Sequence, residues 1–121
     1  MKLLIVILNY RVTELTIECL RALEAQVQEL RDVGVAVCEN GTGSEAVRRL
    51  REAINVNGWN DWVSLRELYP NLGFTGGNNV VIREAMGRPE PPEHFLLLNA
   101  DAFVRPGALA ELVRFMDAHP R

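Results

Sequence analysis

The stretch LLIVIL, residues 3 to 8, is a continuous run of apolar side chains close to the start of the chain. A strand covered on both faces, as in a parallel sheet flanked by helices, needs such a run and not an alternating pattern. The run VGVAVCEN at 33 to 40 predicts a second strand of this kind. Residues 62 to 68 alternate and predict a third, more exposed strand, and a fourth is expected at 94 to 99.

The segments between these strands predict helices. Apolar residues recur at three- and four-residue spacing from 15 to 30, which indicates an amphipathic helix. Further helices are expected after Ser44 as N-cap, from 79 to 87, and from Pro106 onward. Residues 70 to 79, PNLGFTGGNN, are predicted to be irregular because glycine and asparagine dominate them. The order of elements predicts the α/β class: a Rossmann-like three-layer αβα sandwich with a mostly parallel sheet.

Composition narrows the class of protein. A chain of 121 residues, 48% of them hydrophobic, is expected to form a single domain spanning 1 to 121. The net charge of -3 and scattered basic residues give no electrostatic footprint for nucleic acid. No apolar run approaches the roughly 18 residues that span a bilayer, and the opening run is short for a signal peptide. Cys19 and Cys38 lack metal-like spacing and predict buried free thiols, so we expect a cytoplasmic protein.

Polar residues follow each predicted strand at its carboxyl end. In open parallel sheets, ligands bind beyond these ends. We therefore expect the polar residues to gather at one edge of the sheet and to form the site. They are Asn9 and Tyr10, Glu39 and Asn40, the stretch 71 to 79, and Asn99 with Asp101.

Asp101 is the sharpest single candidate. A carboxylate at the end of a buried strand is expected to lose hydration, which is costly unless a cation or several donors compensate. Mg²⁺ or Mn²⁺ would do so, since hard divalent cations take one or two carboxylates together with phosphate oxygens. The alternative is a turn or capping residue before the helix at Pro106. After it, Phe103 and Val104 are expected to return to the core.

Two further stretches have a functional and a structural interpretation. The glycines of NLGFTGGNN, 71 to 79, suit a backbone that approaches a ligand, and the amides at the following helix start favour phosphate. A plain glycine-rich turn is the alternative. Glu39 and Asn40 can bond a base or ribose, and a surface turn fits them nearly as well.

A competing pattern lies at 41 to 46, where GTGSEA matches the G-x-G-x-x-A of NAD- or FAD-binding Rossmann domains. That fingerprint normally follows the first strand of the unit, whereas the first strand here ends in NYR. It also leaves 71 to 79 and Asp101 unexplained. Triad chemistry has no support, because no Ser or Cys is placed as a partner for His94 or His119.

Taken together, four stretches resemble the inverting family 2 glycosyltransferases of the GT-A fold, especially the rhamnosyltransferase-like branch. They are VILNYR at 6 to 11, CENGTGSE at 38 to 45, NLGFTGGNN at 71 to 79 and LLLNADAFVRPGAL at 96 to 109. The resemblance implies a dTDP-, UDP- or GDP-linked sugar donor bound with Mg²⁺ or Mn²⁺. It also implies transfer of a hexosyl or deoxyhexosyl group, with inversion, to a hydroxyl of a glycan or lipid-linked acceptor. Such an acceptor would bring a cytoplasmic protein to a membrane.

The same resemblance implies roles for individual residues. Asp101 takes the last position of an Asp-x-Asp-like motif as the metal ligand, and Asn99 takes its first position. Glu39 and Asn40 take the positions that contact the base and ribose. The other implied donor-site residues are Asn71, Gly73 and Asn78, which line the pocket, and Asn9 and Tyr10, which border the base.

The chain departs from the family pattern in several places. Glu39 stands where Asp is usual, Ser44 where a second Asp is frequent, and Asn99 leaves one carboxylate for the metal. Members of the family continue past the metal motif into an acceptor half that carries the general base. We therefore expect a truncated GT-A fold that holds the donor-binding part, and no catalytic base is assigned. A non-catalytic interaction module is the alternative, and an uncovered sheet edge would suit a homodimer.

Overall fold

Residues 1–120, which the computed structural model describes, form eight elements that alternate between strand and helix. The strands are β1 (Leu3–Asn9), β2 (Val33–Asn40), β3 (Val63–Leu68) and β4 (His94–Leu98). The helices are α1 (Thr13–Leu30), α2 (Ser44–Val56), α3 (Gly73–Met86) and α4 (Ala108–Ala118). This order confirms the predicted α/β class.

The four strands of the described chain form one all-parallel sheet in the order β3-β2-β1-β4. The two central strands are those with continuous apolar runs, and every residue of β2 is buried. β3 and β4 lie at the edges, and no residue of β4 is fully buried. The register pairs Leu3 with Val33 and Asn9 with Glu39, so β1 and β2 end side by side.

Helices cover both faces of the sheet, as the three-layer prediction requires. Successive side chains of β1 point to opposite faces. On one face, an apolar cluster joins β1 to α1, α2 and α4 through Ile5, Ile7, Leu20, Leu50 and Leu109. On the other face, a smaller cluster joins β1 to α3 through Leu4, Val6, Val81 and Ala85.

The predicted start of the third helix is wrong. α3 begins at Gly73, inside the stretch that was expected to be irregular. Glycine in a helix interior costs about 1 kcal/mol relative to alanine, but Gly77 lies against the sheet. A Cβ at Gly77 would come within 2.9 Å of Leu8 Cδ2 and 3.0 Å of Asn40 Nδ2. The glycine allows close helix–sheet packing, and this tertiary requirement overrides the local propensity.

Two smaller expectations are also wrong. Ser44 is the first residue of α2 and not its N-cap, which is Gly43, and no side chain caps this helix end. Instead, the amides of Thr42 and Gly43 just before the helix bond to Glu39. Phe103 is 64% exposed, because it follows the edge strand β4 and nothing in residues 1–120 covers it.

The expectations for Val104 and for the two cysteines are confirmed. Val104 packs against the main apolar cluster. Cys19 and Cys38 are buried free thiols, and burial raises the pKa of each to about 11. Within residues 1–120, no helix combines the length and the apolar character needed to cross a membrane.

Candidate functional site

The carboxyl ends of β1, β2 and β4 meet at one edge of the sheet and open onto a cavity of about 530 Å³. Six of the residues predicted from sequence line this cavity: Tyr10, Asn40, Asn71, Gly73, Asn99 and Asp101. The remaining wall is mostly apolar and consists of Leu8, Val12, Leu15, Phe74 and Ala100. Segments that are far apart in sequence therefore form a single site, which we call the carboxyl-edge cavity.

A second cavity, of about 370 Å³, lies at the opposite end of the strands. Its wall includes Asp32, Val33 and Trp62, and it contains none of the predicted site residues. Ligands of parallel α/β sheets bind at the carboxyl ends of the strands. The carboxyl-edge cavity is therefore the candidate site.

Asp101 lies in the cavity wall and is exposed. The expectation that it loses its hydration is therefore wrong, because β4 is a partly exposed edge strand. A turn follows β4, in which the Ala102 amide donates to the Asn99 carbonyl oxygen at 3.0 Å. Asp101 does not cap the next helix, since α4 has Gly107 as its N-cap and no side-chain cap. Asp101 therefore belongs to the cavity wall and has no structural role at a helix end.

The oxygen groups at this turn are too few to bind a divalent cation alone. They suit one whose coordination shell is completed by a bound ligand. Asp101 contributes one carboxylate, and Asn99, whose side chain carries an amide oxygen, belongs to the same wall. Within residues 1–120, no group of three or more His, Cys, Asp or Glu side chains could hold a metal ion by itself. Mg²⁺ and similar cations often take one or two carboxylates and complete their shell with phosphate oxygens and water. The residues present fit that arrangement.

Glu39 does not line the cavity. It is 1% exposed, and both of its carboxylate oxygens accept hydrogen bonds. Oε1 accepts from Asn9 Nδ2 at 3.2 Å and from the Thr42 amide at 3.1 Å, and Oε2 accepts from the amides of Thr42 and Gly43 at 3.1 and 3.4 Å. Such bonds compensate the lost hydration of a buried carboxylate. The carboxylate holds the loop that leads into α2.

Asn9 is buried beside Glu39 and ties β1 to the start of α1. Its Oδ1 accepts from Thr16 Oγ1 at 2.7 Å, and its Nδ2 donates to Thr13 Oγ1 at 3.2 Å. Asn9 is not part of the cavity wall, but its neighbour Tyr10 is. The side chain of Asn9 therefore fixes the backbone from which Tyr10 extends.

Asn40 organises the turn before α3 and also lines the cavity. Its Oδ1 accepts from the Leu72 amide at 3.0 Å, and its Nδ2 donates to the Gly73 carbonyl oxygen at 3.1 Å. In the same turn, the Gly73 amide donates to Asn71 Oδ1 at 2.6 Å. The turn is thus held by two asparagine side chains, which explains the asparagines of this stretch.

Asn78 lies deeper on α3, is 3% exposed and does not line the cavity. Among the described residues, its Nδ2 has no hydrogen-bond partner. Phe74, in contrast, is a wall residue that sequence reasoning missed. It was overlooked because its stretch was predicted to be irregular. The sequence feature that could have indicated its role is a single aromatic residue within a run rich in glycine and asparagine.

The competing dinucleotide pattern at 41 to 46 has another explanation. Two amides of this loop, those of Thr42 and Gly43, already bond to Glu39. Gly41 has φ of 91°, and a Cβ there would come within 2.4 Å of the Asn71 amide nitrogen. Gly41 thus serves the packing of two loops, and Gly43, with φ of 132°, serves a backbone conformation that favours glycine. The pattern therefore does not require a bound dinucleotide.

Comparison with solved structures shows that the chain has a glycosyltransferase fold. Ten chains of solved structures match it. The likeness lies in the fold, because the sequence identities are 17% to 20% for the three structures described below. No protein-family model matches the sequence, and no curated protein matches it.

One similar structure is the mannosyltransferase PcManGT from Pyrobaculum calidifontis, in complex with GDP-Man and Mn²⁺. The TM-score is 0.81 at 17% identity, and the match covers 95% of this chain and 32% of that one. TarS 1-349 from S. aureus matches with a TM-score of 0.74 at 20% identity, over 99% of this chain and 33% of that one. Its complex with UDP-GlcNAc matches with a TM-score of 0.75 at 20% identity, over 99% and 32%. The chain thus spans about a third of the length of these structures.

Proposed function

We propose that this chain is the donor-binding part of a glycosyltransferase and that the carboxyl-edge cavity binds a nucleotide-diphosphate sugar. One observation carries the proposal: polar residues that follow three different strands, together with Tyr10, line a single cavity. Complexes of structurally similar proteins with GDP-Man and UDP-GlcNAc support it. The motif resemblance favours a dTDP-, UDP- or GDP-linked sugar as the donor.

The charges of the wall favour metal-dependent binding. Among residues 1–120, Asp101 is the one charged side chain that lines the cavity, and no Lys, Arg or His of that range lines it. A diphosphate beside that carboxylate would be repelled unless a cation lay between them. We therefore propose that Asp101, with Asn99 beside it, holds Mg²⁺ or Mn²⁺ against the diphosphate. When bound, the cation supplies Lewis-acid stabilisation of the departing nucleotide diphosphate.

The start of α3 supports the placement of the phosphates. Gly73 and Phe74 belong to both the cavity wall and the first turn of this helix. The first amides of a helix have no intrahelical acceptor, and together with the helix dipole they favour anions. Asn40 and Asn71 accept from the amides of Leu72 and Gly73 and so hold this turn in place. The next amides of the helix, from Phe74 onward, are therefore presented in a fixed position.

Tyr10 and the asparagines of the wall complete the proposed donor site. Tyr10 offers an aromatic face to the base, and the exposed Asn71 offers an amide group to the ribose or sugar. Asn40, whose amide already bonds to the turn before α3, shapes the wall behind them. Asn9, Glu39 and Asn78 are proposed to support this site from below, because they are buried and absent from the wall.

The reaction of the whole protein is a further part of this proposal and rests on the motif resemblance. It is transfer of a hexosyl or deoxyhexosyl group, with inversion, to a hydroxyl of a glycan or lipid-linked acceptor. We propose family 2 and its rhamnosyltransferase-like branch, at work in the cytoplasm and close to a membrane where the acceptor is lipid-linked. The general base is not assigned to a residue of this chain.

Isothermal titration calorimetry with UDP, GDP and dTDP tests the proposal. We expect at least one of them to bind in the presence of Mn²⁺ and to bind far more weakly with EDTA. Asp101→Asn keeps the shape of the side chain and should remove the metal dependence. Asp61→Asn, at an exposed carboxylate outside this cavity, is the matched control. The absence of binding by all three nucleotides would contradict the proposal.

An interaction module of the same fold is a second candidate, favoured by an exposed apolar surface beside β4. Leu112, Phe115 and Met116 on α4, which packs beside β4, are each at least 45% exposed. Edge strands with apolar surroundings favour association, so we propose a homodimer through this face. Sedimentation equilibrium of the wild type and of Leu112→Lys tests it, and a monomeric wild type would exclude it. Sugar transfer by this chain would exclude a purely non-catalytic role.

A further inference from the structure

Arg11 lies directly beside the carboxyl-edge cavity, and no basic side chain is among the described residues that line that cavity. Its chain neighbours Tyr10 and Val12 both line the cavity. Arg11 lines an adjoining cavity of about 400 Å³, which shares Val12 and Leu15 with the first. Its guanidinium carbon lies 5.0 Å from the centroid of the Tyr10 ring. A cationic group is thus stacked at the rim of the site.

The backbone of Arg11 is held in an uncommon conformation. Its φ of 59° falls in the left-handed region, which residues other than glycine rarely adopt. The Arg11 amide donates to Thr42 Oγ1 at 2.9 Å, and the Thr42 amide donates to both oxygens of Glu39 at 3.1 Å. Strained backbone persists where surrounding contacts fix it, and it is frequent at ligand sites. Here the buried carboxylate of Glu39 fixes Arg11 through Thr42.

No carboxylate of the described part of the chain neutralises the guanidinium of Arg11. Within residues 1–120, it takes part in no ion pair, whereas Arg49 bonds to Glu14 and Arg66 bonds to Glu84. Arg11 is also exposed. A guanidinium that stacks on an aromatic ring keeps its N–H edge available, and this planar edge matches the oxygens of a phosphate group.

We propose that Arg11 binds a phosphate group of a nucleoside diphosphate in the carboxyl-edge cavity, and that Thr42 and Glu39 are positioning residues for it. This inference rests on the proposed function and adds a metal-independent phosphate contact to it. Arg11 supplies a positive charge that none of the described wall residues provides. Thr42 and Glu39 act through the backbone and do not touch the ligand.

NMR chemical-shift titrations of wild type and Arg11→Gln test the proposal, because they measure millimolar as well as tighter affinities. The ligands are UDP, GDP and dTDP and their nucleosides, each in the presence of EDTA and of Mg²⁺. We expect Arg11→Gln to weaken the diphosphate about tenfold, as loss of a charge-assisted hydrogen bond predicts, in both conditions. The nucleoside affinity should stay unchanged, and Arg11→Lys should retain part of the diphosphate affinity.

Variants of Thr42 test its role as a positioning residue separately. Thr42→Val removes the acceptor of the Arg11 amide and should weaken the diphosphate as Arg11→Gln does, with no additional loss when the two are combined. Thr42→Ser keeps the hydroxyl and should bind like the wild type. Arg51→Gln, at an exposed arginine of α2 that lines none of these cavities, is the matched control.

Three outcomes would overturn the inference, and they are distinguishable. An unchanged diphosphate affinity in Arg11→Gln would show that Arg11 does not bind the phosphate group. An equal loss for nucleoside and diphosphate would mean that Arg11 acts on the base through Tyr10. Absence of binding of every nucleotide to the wild type would remove the proposed function together with this contact.

Discussion

Glu39 and Asn40 are consecutive residues of β2 whose side chains bind two different loops at the carboxyl edge of the sheet. Glu39 bonds to the amides before α2, and Asn40 bonds to the turn before α3. Neighbouring side chains of a strand point to opposite faces, so one dipeptide anchors a loop on each side of the sheet. Both residues are buried. The shape of the carboxyl-edge cavity therefore depends on these two side chains.

Substitution of Glu39 should be strongly destabilising. Glu39→Ala leaves the amides of Thr42 and Gly43 without this acceptor in a partly buried loop, and it removes one of the two acceptors of the buried Asn9 Nδ2. We expect a loss of about 2–4 kcal/mol in the free energy of unfolding, measured by urea denaturation. Glu39→Gln keeps one acceptor oxygen and should lose less. Glu52→Ala, on the exposed side of α2, should change stability by under about 0.5 kcal/mol, and an equal effect of both alanines would contradict this account.

The sequence predicted the centre of the sheet better than its edges. The apolar runs of β1 and β2 indicated buried strands, because a strand that is buried on both faces has apolar residues at consecutive positions. The exposure of Asp101 could not be predicted from the residues around it in the sequence. It depends on β4 lying at the edge, and strand order is a property of the whole fold.

The site was predicted in outline, and the roles of its residues were not. The rule that strand ends meet identified six wall residues correctly as neighbours. It did not separate Asn40, which reaches the cavity, from Glu39, which lies beneath it. That difference depends on the direction of each side chain and on partners in loops such as Thr42, which no periodicity describes.

Gly77 tests whether the close approach of α3 to the sheet decides where that helix can form. Gly77→Ala gains helix propensity of about 1 kcal/mol, but its Cβ would lie 2.9 Å from Leu8 Cδ2 and 3.2 Å from Asn40 Cγ. Overpacking typically costs about 1–3 kcal/mol, so we expect a net loss of stability by thermal and urea denaturation. Gly87→Ala, where the nearest atoms lie at 3.5 Å, should be close to neutral. Stabilisation by Gly77→Ala would show that local propensity dominates.

Asp117 ties α4 to the start of β1 and β4, and this contact should depend on pH. It accepts from Lys2 Nζ at 2.8 Å and contacts His94 Nε2 at 2.9 Å. The hydrogen bonds with His94 and then Lys2 hold the pKa of Asp117 below its usual value. A carboxyl with a lowered folded pKa stabilises the fold above its unfolded pKa, and this contribution is lost as pH falls through the folded pKa.

The contact between Asp117 and Lys2 should also make stability depend on pH in the alkaline range. The hydrogen bond with Asp117, and next that with Glu93, raises the pKa of Lys2. Its contribution is present at neutral pH and is lost as pH rises through the folded pKa. We expect Asp117→Asn to be less stable than the wild type at neutral pH and the difference to shrink below about pH 4. Urea denaturation across pH measures this, with Asp61→Asn as control, and a difference independent of pH would refute the role of charge.

Phe74 should contribute to ligand binding without contributing to the stability of the fold. It lies in the first turn of α3, lines the carboxyl-edge cavity and is 59% exposed, so Phe74→Ala should change the free energy of unfolding by under about 0.5 kcal/mol. If the cavity binds a nucleotide-diphosphate sugar, loss of an aromatic wall should weaken UDP, GDP or dTDP roughly three- to tenfold in calorimetric titrations. Tyr69→Ala removes an aromatic ring that is 84% exposed and absent from the wall, so it should leave the affinity unchanged. Equal affinities of Phe74→Ala and the wild type would show that the bound nucleotide does not reach the start of α3.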